Sequence, residues 1–211
     1  MKNIGIFGGT FNPPHKSHLR IANCFIEQMN LDLCYFVPTF VSPFKINTDQ
    51  SEIIDKKHIL NMLNLLIHQN PSLKISNYEI EKEGISYTIE TVRHFKDIYP
   101  NSNLFLLIGL DNLVKFHKWK DYTEILKLAN LTIAPRIFDS NNFLFSSQNK
   151  LPNSELYKYN DIEFYYLKTE AMNYSSSDIR KNIAEGKPVS EILTMEVEEY
   201  ILENKLYLID N

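Results

Sequence analysis

The chain has 211 residues, 44% of them hydrophobic, with 22 Lys and Arg against 26 Asp and Glu and a formal net charge of −4. That length suits one α/β domain, here residues 1–211 as a single unit, and is too short for two of ordinary size. The acidic balance without a basic block argues against nucleic acid as a partner. No apolar run approaches the ~18 residues that span a bilayer, and Cys24 and Cys34 lack CxxC spacing, so the expectation is a soluble protein in the reduced cytoplasm.

An apolar run, Ile4 to Phe7, reads as a first strand, and Ala22, Phe25, Ile26 and Met29 recur at helical spacing after it. Between them lies Gly8-Gly9-Thr10-Phe11-Asn12-Pro13-Pro14-His15-Lys16-Ser17-His18. The glycines are expected to let the backbone turn tightly and approach a ligand, and the helix that follows offers free N–H groups to an anion. His15 and His18, three apart, fall on one helical face and can both donate to phosphate oxygens. A zinc site would need further ligands, a P-loop would need GxxxxGK[ST], and the dinucleotide fingerprint GxGxxG is missing from this turn.

Leu33 to Val37 reads as a second buried strand, Thr39 to Gln50 as a loop, and Ile59, Leu60, Leu63, Leu66 and Ile67 as the inner side of a helix. Lys74 to Asn77 is a short strand, Thr88 to Tyr99 a helix, Leu104 to Ile108 a buried strand ending at Gly109, and Leu131 to Ala134 another. Arg136 to Asn160, rich in Ser and Asn and without periodicity, reads as a long surface loop. Glu163 to Leu167 is a last strand, and helices near Ser176 to Glu185 and Ser190 to Asn204 follow. Strands alternating with helices predict a Rossmann-like, doubly wound parallel sheet with C-terminal helices, whose ligands gather at the carboxyl ends of the strands.

Near the last strand, Tyr174-Ser175-Ser176-Ser177-Asp178-Ile179-Arg180 opens a helix. Ser hydroxyls, free helix amides and a guanidinium could converge there on phosphate oxygens. An ordinary capped helix with an exposed Arg is the plainer reading of this segment alone.

Gly9 to His18 resembles the GxFxPxHxGH signature of the nucleotidyltransferase superfamily, with Ser17 in place of the second Gly, and Tyr174 to Arg180 resembles its ISSTxIR motif. Four further stretches narrow the resemblance to nicotinate mononucleotide adenylyltransferases: Pro38 to Lys45, Glu79-Ile80 leading into Ser86-Tyr87-Thr88, Ile108 to Asp111, and Trp119. The resemblance implies transfer of AMP from ATP to nicotinate mononucleotide, with Mg²⁺ carried on ATP. It implies catalytic roles for His15, His18, Lys45 and Arg180. ATP would be bound by Gly8, Gly9, Thr10, Phe11, His18, Gly109, Asp111, Ser175, Ser176 and Arg180. The mononucleotide would meet Thr10, Lys45, Tyr87, Thr88, Trp119, Lys120 and Arg136, and no residue is expected to hold a resident metal. Trp119 could equally be core, Asp111 a helix cap, and Lys45 and Arg136 merely solvated. Nicotinamide mononucleotide as acceptor, or a non-catalytic nucleotide-binding protein on the same fold, remain alternatives, and homo-oligomer formation is left open.

Overall fold

The computed structural model describes residues 1–44, 54–135, 150–151, 156–169 and 174–208. Seven strands form one sheet in the order β3-β2-β1-β4-β5-β7-β6: β1 (Asn3–Gly9), β2 (Leu33–Pro38), β3 (Leu73–Ile75), β4 (Asn103–Gly109), β5 (Asn130–Ala134), β6 (Leu156–Tyr159) and β7 (Ile162–Tyr166). All neighbouring pairs are parallel except β6 with β7. The order reverses between β1 and β4, so a crevice opens at their carboxyl ends, where Gly9 and Gly109 lie.

Alternation within the central strands divides the core in two. Ile4, Ile6, Leu104, Leu106, Ile108 and Ile133 face a layer holding Ile89, Val92 and Phe95 of α4 (Thr88–Ile98). Phe36, Phe105 and Leu107 face the opposite layer, built from α1 (Lys16–Met29), α2 (Lys56–Ile67), α7 (Ser176–Ala184) and α8 (Met195–Glu203). Each fully buried Phe, Leu or Ile contributes roughly 1.5–3 kcal/mol by leaving water, so the two layers clamp the sheet from both sides. Four short elements escape periodicity: α3 (Tyr78–Lys82), α5 (Leu110–Leu113), a 3₁₀ turn (Phe116–Lys118) and α6 (Tyr122–Leu128).

Several expectations are corrected. The segment ending at Asn160 is not all loop: β6 pairs antiparallel with β7 through Asn160 and Asp161, whose φ values of 46° and 64° give the twist a two-residue hairpin requires. Residues 136–149 and 152–155 of the expected loop lie outside the described residues. The last helix starts at Met195 rather than Ser190, because the Thr194 hydroxyl accepts from Val197 N–H, whereas the Ser190 and Glu191 carbonyls accept from the Lys16 ammonium. On α2 the buried side includes Met62, with Leu60 only half-buried.

Candidate active site

Gly8 and Gly9 do not make the turn after β1. Both remain in the strand, Gly9 in register with Pro38, and neither has a positive φ. The chain turns at Phe11, whose φ is 48°, and passes through a cis Asn12-Pro13 bond into α1. A Cβ on Gly9 would lie 2.8 Å from the Phe11 ring, so the glycine makes room for that ring, while a Cβ on exposed Gly8 would meet nothing within 4 Å. Phe11 is 1% exposed and packs against Phe7 and Phe36, so its ring belongs to the core and is not a surface for a ligand. Thr10 is a half-buried loop residue between them.

His15 is the N-cap of α1 and His18 lies in its first turn. Their rings stack with centroids 3.7 Å apart, and the edge of Phe11 supports His18 at 5.0 Å. His18 Nδ1 accepts a hydrogen bond from the His15 backbone N–H at 3.2 Å. With Nδ1 accepting, the neutral ring carries its proton on Nε2, which makes Nε2–H a donor. Ser17 is 5% exposed, and its hydroxyl has no partner among the described residues.

The second motif meets the first directly. Ser176 Oγ donates to the Pro13 carbonyl at 2.9 Å and Arg180 Nη1 to the Asn12 carbonyl at 2.8 Å. Ser175 caps α7: its Oγ accepts from Asp178 N–H at 3.2 Å and donates to the Asp178 carboxylate at 2.6 Å. That serine holds the Asp178 carboxyl below the usual carboxylate range. Ser176 and Arg180 thus bind the loop between β1 and α1 to α7, while Ser175 caps the helix. The loop is also held by Tyr207, whose hydroxyl donates to Asn12 Oδ1 at 2.6 Å. Neither Asn12 nor Tyr207 is marked by the sequence, because they stand 195 positions apart.

Across the crevice, the chain after β2 is tied to the start of α4. Phe40 N–H donates to Ser86 Oγ at 3.0 Å, and Ser86 N–H donates to the Val41 carbonyl at 2.9 Å. Tyr87 is the N-cap of α4 and Thr88 its first residue. The Lys120 ammonium sits 4.3 Å from the centre of the Tyr87 ring and 3.2 Å from Glu90, whose other oxygen pairs with Lys82 at 2.5 Å. The Lys82 ammonium holds the Glu90 carboxyl below its ordinary range. Trp119 packs between Phe116, at 5.1 Å, and Phe44, at 6.4 Å, and its buried indole N–H has no partner among the described residues. Aromatic side chains with an ammonium among them can take a flat ring that carries a negative group.

Beneath this wall, Glu79 is 7% exposed and accepts from Thr91 Oγ1 at 2.6 Å. Burial pushes its carboxyl upward, opposed by Thr91 and Ser86. At the end of β4, Gly109 is the N-cap of α5 and Asp111 an exposed residue of its first turn. The structure thus brings the histidine loop into contact with α7, and sets Tyr87 beside Lys120. Lys45 and Arg136 lie outside the described residues. Among the described residues there is no group of three His, Cys, Asp or Glu side chains that could hold a metal, and no helix long and apolar enough to cross a membrane.

Comparison with known proteins gives this geometry a family. The cytidylyltransferase-like family model matches residues 6–182. A nicotinate-nucleotide adenylyltransferase of Bacillus subtilis is 36% identical over 207 residues, covering 98% of this chain and 99% of its own. The Plasmodium falciparum nicotinic acid mononucleotide adenylyltransferase complexed with NaAD has the same fold, with a TM-score of 0.74 at 17% identity over 98% of each chain. Its complex with APC superposes with a TM-score of 0.73 at 16% identity, again over 98% of each chain. The chain belongs to the cytidylyltransferase-like family, whose model runs from residue 6 into the ISSTxIR-like helix, and within it to the nicotinate-nucleotide adenylyltransferases.

Proposed function

We infer that the chain transfers the adenylyl group of ATP to nicotinate mononucleotide, giving nicotinate adenine dinucleotide and pyrophosphate. Close similarity along its whole length to a relative of that name supports the reading. The structural observation that carries it is the stacked His15–His18 pair beside the crevice, with the bond that directs the His18 proton to Nε2.

The 5′-phosphate of the mononucleotide attacks the α-phosphorus of ATP in line. One phosphorus–oxygen bond forms as the bond to the β-phosphate bridge breaks, and pyrophosphate leaves. The nucleophile is already an anion, so no side chain has to remove a proton. The protein aligns the two phosphates and stabilises the charge that spreads over the reacting oxygens. His18 Nε2–H donates to those oxygens, assisted by His15 and the positive end of the α1 dipole, and the start of α7 with Arg180 approaches from the other motif. Gly8 and Thr10 leave the nucleotide room, and Asp111 beside Gly109 accepts from ribose hydroxyls. Lys45 and Arg136 supply further positive charge, on sequence grounds. Magnesium enters with ATP as part of the substrate.

Tyr87, Thr88, Trp119 and Lys120 receive the pyridine ring. Lys82 and Lys120 outnumber the one carboxylate they share, Glu90, and that excess of positive charge favours the carboxylate of nicotinate over the amide of nicotinamide. The free thiols suit the reducing cytoplasm as the setting.

The test is pyrophosphate release from Mg·ATP with each mononucleotide, for the unmodified chain and for His18→Ala. Preference for nicotinate mononucleotide is expected, with kcat of the variant lower by roughly 10²–10³-fold, the usual effect of losing one such donor. Near-normal turnover by His18→Ala would remove the histidine from its role, and equal use of both acceptors would overturn the acceptor assignment.

A further inference from the structure

The loop that carries the histidines is held by a residue from the far end of the fold. Asn12, three positions before His15, accepts the Tyr207 hydroxyl on its side chain and the Arg180 guanidinium on its carbonyl. Tyr207 reaches that place through a turn after α8 in which Lys205 and Tyr207 take φ values of 50° and 64°, left-handed conformations unfavourable for residues with a Cβ. Leu206 between them is 8% exposed and anchors the turn in the core. A conformation of that kind persists where the surroundings over-determine it. Burial pushes the Tyr207 phenol upward, against the opposing effect of Arg180, so the hydroxyl keeps its proton and remains a donor. Because Oδ1 accepts that hydrogen bond, the Asn12 amide is held in one of its two flip orientations.

We propose that Tyr207 is a positioning residue for adenylyl transfer: acting through Asn12, it fixes the loop between β1 and α1 so that His15 and His18 meet the reacting phosphates at a set angle. This rests on the adenylyl-transfer reading above and extends it to a residue that acts through the protein. A tail tethered only for stability would show itself in unfolding and leave the reaction rate untouched.

Tyr207→Phe removes one oxygen and leaves the ring to pack. The expected result is a kcat about tenfold lower, the scale of one well-placed hydrogen bond. Both KM values stay within about twofold, because the loss is confined to the transition state. The imidazole NMR signals of His15 and His18 should shift, while those of His68 and His117 stay in place. In an Asn12→Ala background, adding Tyr207→Phe should change kcat by less than about twofold, as for two residues acting in one chain of contacts. Unchanged kcat in Tyr207→Phe, an undiminished effect in the Asn12→Ala background, or unmoved histidine signals would each overturn the proposal. An unmodified chain that fails to release pyrophosphate would instead bring down the adenylyl-transfer reading, and the histidine signals would still decide whether Tyr207 sets the loop.

Discussion

Gly8 and Gly9 are adjacent in β1 and serve different physical needs. A methyl group on Gly9 would press on the Phe11 ring at 2.8 Å, inside a cluster where Phe7, Phe11 and Phe36 already touch. Gly9→Ala should therefore overpack the core and cost about 1–3 kcal/mol, read as a lower urea midpoint. Gly8 faces open space, and Gly8→Ala should leave stability within about 0.5 kcal/mol of the parent. If the nucleotide lies over Gly8, the same variant raises the KM for ATP, and an unchanged KM would place the nucleotide elsewhere. Unequal effects at two neighbouring glycines would separate a packing requirement from a binding one. His18 shows a similar economy, because the bond that caps the helix entrance also selects which ring nitrogen carries the proton.

At the level of elements, α3 and α4 are joined by Glu79 and Thr91, a pair buried beneath the wall formed by Tyr87 and Lys120. A carboxyl raised by burial binds its proton more tightly in the folded chain than in the unfolded one. Stability therefore falls as pH climbs from the ordinary glutamate range through the raised value, and the full cost is present above it. Glu79→Gln keeps an acceptor for Thr91 and removes the charge. Its urea midpoint should gain on the parent's between acid and neutral pH, and parallel pH profiles would show that Glu79 carries no such cost. The amphipathic helices were legible in the sequence because burial of one face imprints a period on it, as in α4, and β4 was legible as an unbroken apolar run because both its faces are buried. The hairpin of β6 and β7 was hidden because four residues are too few for a period; its signal was Asn160-Asp161 between tyrosine-rich runs. Both histidines could be read from their spacing, whereas the grip of Ser176 and Arg180 on Pro13 and Asn12 could not. Partners 163 and 168 positions apart leave no local pattern.

At the scale of the whole molecule, α8 and its turn close the layer shared by α1, α2 and α7. Val197, Ile201 and Leu206 are buried there, and the Tyr200 hydroxyl accepts from Asn61 and shares a hydrogen bond with His58 Nδ1, both on α2 and each at 2.8 Å. Deleting residues 194–211 would take three large apolar side chains out of the core and uncover the residues they pack on, forfeiting roughly 5–9 kcal/mol at 1.5–3 kcal/mol each. That is comparable to the whole stability of an ordinary domain. The shortened chain should lose its cooperative urea transition, and a transition kept at the parent's midpoint would show that α8 is dispensable for the core.

The contact of Ser176 and Arg180 with the loop after β1 also bears on the order of events during synthesis. The histidine loop leaves the ribosome early, and α7 follows after an interval on the order of ten to thirty seconds at ordinary elongation rates. For that time the histidine loop is without the clasp of Ser176 and Arg180 and rests only on its own packing against Phe7 and Phe36, so the nascent chain completes the contacts that fix it only when its last helices have docked.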